Sequence, residues 1–182
     1  MESFYDWGSI NLNNKEKLIQ DNYSKINQIS ARCMRVIVAI LALAFVYCYF
    51  GTDMDESVLI VFFASAIFIA LIPTLIINIL KFDHAPVTKH IVIICVCLIA
   101  TLMLTLLSTY AYPIMLFPIL LASLYYNQTL VLFASLLMSC GIVGSNYFAF
   151  RFSDVFIGFP CESFEEVMMS YVVPQIVVVF GL

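Results

Sequence analysis

The chain has 182 residues, of which 63% are hydrophobic and 11% charged, with a net charge of −4 and a mean hydropathy of +1.03. A soluble domain carries roughly 25% charged residues, and no soluble core of this length could bury so much apolar surface, so the composition dictates an integral membrane protein. The few charges fall between the apolar runs and form no basic tract, which gives no reason to expect nucleic acid.

The first 30 residues are polar and show no signal-peptide pattern; the first apolar run is too long and too late for one. Residues 1–12 (MESFYDWGSINL) mix aromatics and acids without period. Asn13 followed by Glu16 has the form of a helix cap. Beyond it Ile19, Tyr23, Ile26 and Cys33 recur at helical spacing, with Lys15, Lys17, Asp21 and Lys25 elsewhere,. Residues 14–30 are therefore expected to form an amphipathic helix, on the membrane surface or feeding the first span, in a cytoplasmic tail spanning 1–30, ahead of a transmembrane domain at 31–182.

Six apolar runs follow: 33–50, 57–80 interrupted by Pro73, 90–109, 112–126, 129–150, and a last one from near Val167 to Leu182. The second, third and fifth reach the ~20 residues that a spanning helix needs. The last covers only about 24 Å at helical rise and lacks interfacial markers, which predicts that the chain continues past Leu182. The expected fold is all-α, a polytopic bundle of six transmembrane helices, with five plus a re-entrant segment as the alternative.

Lys and Arg set the orientation. Lys15, Lys17, Lys25, Arg32 and Arg35 place the N-terminus in the cytoplasm. The loop GTDMDES is acidic and expected outside, while KFDHAPVTKH, with Lys81 and Lys89, is expected inside. The ambiguous piece is YAYPIMLFPILLASLYYN, residues 110–127. Its tyrosine pairs 110/112 and 125/126 are spaced like two interfacial belts, and Pro113 suits a first helical position. Pro118 is expected to leave the carbonyl of Ile114 for a neighbour or water to satisfy. Crossing is favoured over re-entry, which puts both termini in the cytoplasm.

No Asp, Glu, Lys, Arg or His lies in the interior of an apolar run, the usual mark of proton relays and intramembrane catalysis. His84 and His90 are read as solvated loop residues at the cytoplasmic edge. The cysteines, Cys33, Cys48, Cys95, Cys97, Cys140 and Cys161, form no disulfide or metal framework; the C-V-C at 95–97 does not put its thiols side by side on a helix. No Walker loop, GxGxxG, HExxH or nucleophile elbow occurs. Neither catalysis nor a cofactor is expected of this chain.

What remains is uncharged polarity. Cys97, Thr101, Thr105 and Ser108 form one stripe; Ser135, Ser139, Ile142 and Asn146 form another, beside a small-residue pair at Gly141 and Ser145; Ala66 and Ala70 form a third face near Pro73,. Pro174 and Gln175 interrupt the last run. One reading is helix packing with hydroxyls bonded to backbone carbonyls. The other is a pocket for a small uncharged or weakly polar ligand, formed from Thr101, Thr105, Pro118, Ser139, Asn146, Pro174 and Gln175.

Tyr112, Pro113, Pro118, Ser123, Tyr125 and Asn127, with Pro174 and Gln175 later, resemble the multi-span N-terminal region of bacterial membrane signalling proteins. There a helical bundle precedes a cytoplasmic GGDEF-type diguanylate cyclase, histidine kinase or serine phosphatase. The resemblance implies a sensor or anchor module in the bacterial cytoplasmic membrane, homodimeric through its output region; no effector motif occurs in this chain. The alternative is a six-span substrate-binding subunit of a vitamin-type transporter. The first span has Ala39, Ala42 and Ala44 but lacks the Ala-xxx-Ala face of those proteins.

Overall fold

A computed structural model describes residues 3–51, 55–82, 85–107, 113–151 and 163–181; side chains are described from residue 18 on, except that of residue 107. Tyr110, Tyr112, Ser108, His84, Asp53 and Cys161 lie outside the described residues. The described chain is all-helical: α1 (Ser3–Gly51), α2 (Glu56–Thr74) continued by a π turn (Leu75–Ile79), α3 (Thr88–Leu107), α4 (Phe117–Ser123), α5 (Gln128–Arg151), α6 (Phe164–Val167), a second π turn (Met168–Val172) and α7 (Val173–Phe180).

The amphipathic stretch and the first apolar run are one unbroken helix. Backbone bonding continues through the polar-to-apolar transition at Arg32–Arg35, and α1 begins at Ser3 rather than at Asn13. Its 49 residues extend about 73 Å, well beyond the ~30 Å of a hydrocarbon core. Local caps set other boundaries where orphan N–H groups need acceptors. Asp55 accepts from the Ser57 amide at 2.8 Å, Asn127 from the Leu130 amide at 3.2 Å, and Ser163 from the Glu166 amide at 3.3 Å. The π turn at Met168–Val172 directly precedes Val173 and Pro174, where the wider turn relieves the clash a proline ring makes with the preceding turn.

Contacts fix the direction of each helix. Phe45 packs edge-on against Phe63 with centroids 5.5 Å apart, and the Thr74 hydroxyl donates to the Ala31 carbonyl at 3.4 Å, so α1 and α2 are antiparallel. The Lys89 ammonium lies 4.4 Å over the Tyr23 ring, and the Tyr125 hydroxyl donates to Asn27 Oδ1 at 2.7 Å. The start of α3 and the turn after α4 therefore meet the middle of α1 at one end of the bundle. His90 packs edge-on against Phe133 at 5.8 Å, and Gly141 faces Thr101, which makes α3 and α5 parallel with α4 returning between them. Phe164 packs on Tyr147 and Phe150, so α6 begins where α5 ends. His90 is thus a half-buried residue of α3, not a loop residue.

Charge separates between the two ends. Lys25, Arg32, Arg35, Lys81 and Lys89 gather toward the end marked by Tyr125, accompanied by Asp21; Asp55, Glu56, Glu165 and Glu166 lie at the other, with Arg151. Between them the outer surface is apolar, with Leu43, Tyr47, Phe50 and Phe68 all largely exposed, a surface suited to lipid and not to water. Among the described residues four helices are long and apolar enough to cross a membrane: Leu18–Gly51, Glu56–Ile79, Thr88–Leu106 and Gln128–Arg151; Pro113–Ser123 is shorter. In the third, 67% of the apolar window is buried, against 17% in the first. That makes α3 the central helix and α1 a peripheral one.

Candidate ligand-binding site

The polar residues that could form a pocket separate into two groups. The hydroxyls of Thr101, Thr105 and Ser139 each donate to a carbonyl one turn back on their own helix: Thr101 to Cys97 at 2.9 Å, Thr105 to Thr101 at 3.0 Å, and Ser139 to Ser135 at 2.8 Å. This satisfies them in an apolar setting, which favours the packing arrangement for this stripe. Thr101 has a further role, since a Cβ on Gly141 would run into its Oγ1. The absence of a side chain at Gly141 is what lets α3 and α5 approach.

Asn146 and Gln175 do come together. Both are buried; Asn146 Nδ2 donates to the Ile142 carbonyl at 2.8 Å and to Gln175 Oε1 at 3.4 Å. The second bond is long and ties α5 to α7 only weakly. Pro174, in the first turn of α7, is exposed.

Pro118 is buried in the first turn of α4, after a 3₁₀ turn at 113–116. Its missing N–H falls where a helix start needs none, so the ring begins a helix here and does not interrupt one. The residues that do enclose space are different. An apolar groove of about 410 Å³ lies between α1, α3 and the segment opening α4, lined among others by Ile37, Ile40, Ala44, Ala100, Met103 and Pro113. None of the described lining residues has a polar side chain, and none of the seven expected site residues takes part. Its volume falls in the range of small-molecule sites, and exposed Ile40 and Pro113 mark its open side.

A second constellation, at the basic end, carries no sequence motif. Tyr125 is almost fully buried, bonded to Asn27 and stacked at a tilt on Tyr23 with centroids 6.1 Å apart. Ser30 lies near the same phenol, outside hydrogen-bond geometry, and its hydroxyl is buried without a partner among the described residues. Beside them a pocket of about 310 Å³ is lined by Leu18, Ile19, Asn22, Tyr23, Tyr125 and Tyr126. The sequence signal was the polar set Asn27 and Ser30 on the same side of α1 as Ile26 and Met34. Among the described residues no group of three or more His, Cys, Asp or Glu is placed to hold a metal ion.

With its described residues all-helical and four of those helices of membrane length, the chain belongs to the class of α-helical membrane-associated proteins. No family model, curated protein or solved structure matches it.

Proposed function

We propose that this chain is a six-pass membrane sensor or anchor module of a bacterial cytoplasmic membrane. It relays a bound ligand or a membrane state to a cytoplasmic output domain beyond residue 182. In this reading Pro113–Ser123 crosses as a short span, the basic end and both termini are cytoplasmic, and the acidic end faces outside. The positive charge gathered at one end supports that orientation, and the alternating helix directions support the number of passes.

The observation that carries the relay is α1. One unbroken helix joins an apolar half that borders the groove to a half bonded to the α4–α5 turn through Asn27 and Tyr125. A ligand or lipid state that favours one packing of the apolar half shifts the other half with it, and it can do so only by binding the two packings unequally.

The test begins with the coding sequence after Leu182. Where an output domain follows, its activity is compared in membranes carrying the native chain and Gly141→Leu, which forces α3 and α5 apart. A changed output from a chain that still inserts supports the relay. A stop codon directly after Leu182, or an output indifferent to helix packing, contradicts it; the stop codon would favour the vitamin-type transporter subunit.

A further inference from the structure

Lys89 is the most enclosed cation described. It is nine-tenths buried in the first turn of α3, its ammonium lies over the Tyr23 ring, and no carboxylate pairs with it among the described residues. Enclosing most of a cation's side chain is costly, and stacking on a tyrosine offsets only part of that cost. The same Tyr23 ring lines the pocket at the basic end, with Asn22, Tyr125 and Tyr126. Tyrosine and lysine side chains at such a level suit the headgroup zone of a bilayer.

The apolar groove lies farther along the same helix. From Tyr23 to Ile40 the distance is about 25 Å at helical rise, slightly more than half of a 40–45 Å bilayer; exposed Arg32 and Arg35 lie between them, with side chains long enough to reach back toward the headgroup zone,. The groove is open on its outer side, and its described lining is hydrocarbon alone. Charge at one end and a purely apolar slot one leaflet deeper match a molecule with an anionic head and an alkyl tail.

We infer that α1, α3 and α4 hold one anionic phospholipid from the leaflet at the basic end. Its phosphate is neutralised by Lys89 and hydrogen-bonded from the tyrosine rim, and one acyl chain fills the groove between Ile40, Ala44, Met103 and Pro113. This deepens the proposed function by naming its ligand class, and it rests on the reading of the basic end as a membrane surface.

The experiment is native mass spectrometry of the full chain, purified in mild detergent and titrated with dioleoyl phosphatidylglycerol, with dioleoyl phosphatidylcholine, or with phosphatidylglycerol plus inorganic phosphate. The native chain should retain phosphatidylglycerol in preference to phosphatidylcholine, with a preference that shrinks as salt rises. Lys89→Gln should cut that preference by about fivefold while Lys89→Arg keeps it, and Ile40→Trp, which blocks the open side of the groove, should lower retention of both lipids. Equal retention of the two lipids by the native chain at low salt overturns the assignment, and needs no variant to fold. Displacement by millimolar phosphate also overturns it, in favour of a soluble anion, as does full lipid retention by Ile40→Trp. The sidedness of the chain is read separately by thiol labelling, so a failed lipid titration leaves the topology standing.

Discussion

The Tyr125 hydroxyl donates to Asn27 Oδ1 at 2.7 Å across 98 positions of sequence. This bond fastens the turn between α4 and α5 to the middle of α1, in a region where both residues are almost wholly buried. It also places the end of the short segment Pro113–Ser123 at the basic end of the bundle.

Tyr125→Phe keeps the ring against Tyr23 but removes the donor from Asn27. The expected loss is about 1 kcal/mol, at the low end of the ~1–3 kcal/mol for a deprived buried acceptor, because Asn27 has further interactions. Thermal unfolding of the detergent-solubilised chain should show it. In a double-mutant cycle with Asn27→Ala, the two changes should cost less together than the sum of each alone; strict additivity would mean that the bond contributes nothing.

Gly141→Ala should destabilise the α3–α5 contact by about 1–3 kcal/mol. The added methyl meets Thr101 Oγ1, and that hydroxyl can move only by giving up its bond to the Cys97 carbonyl. Thr101→Ala in the same chain removes the obstacle and should restore most of the loss. A double variant no better than Gly141→Ala would show that the helices are held apart elsewhere.

Gln175→Leu should cost no more than about 1 kcal/mol, since hydrogen bonds between helices in a membrane are individually weak. Asn146 keeps its bond to the Ile142 carbonyl when Gln175 is lost. Unfolding measurements would check this; a loss of several kcal/mol would mean that the Asn146–Gln175 contact is far stronger than its 3.4 Å length implies.

The proposed orientation makes a prediction for each of the two charged ends. A single cysteine introduced at exposed Ser57, at the acidic end, should react with a membrane-impermeant maleimide on intact cells. One placed at exposed Lys25, at the basic end, should react only after lysis. The reverse pattern would invert the orientation.

Much of the fold could be read from the sequence because an apolar run of membrane length has few alternatives to a helix. Residues 57–80, 90–109 and 129–150 were legible for that reason. The join between 14–30 and 33–50 stayed open: side-chain polarity changes at Arg32–Arg35, but backbone bonding does not depend on side-chain polarity, so spacing could not decide between a helix on the membrane surface and one feeding the first span. The hydroxyl stripes of Thr101, Thr105 and Ser139 were visible as stripes, yet spacing cannot distinguish hydroxyls bonded back to their own helix from hydroxyls aimed at a ligand. The groove was hidden for a related reason, since Ile37, Ala100 and Met103 have the same chemistry whether they line a space or fill a core. Tyr125 was singled out as an interfacial marker, but its partner Asn27 lay too far away in sequence for spacing to indicate it.

The central claim is that the chain makes six passes, with Pro113–Ser123 as a true crossing. It is tested most directly at Cys161, in a chain whose other five cysteines are replaced by serine or alanine. Labelling of Cys161 by an impermeant maleimide on intact cells is the predicted result. Protection on intact cells, with labelling only after lysis, would contradict it, because that segment would then turn back and the C-terminus would lie outside.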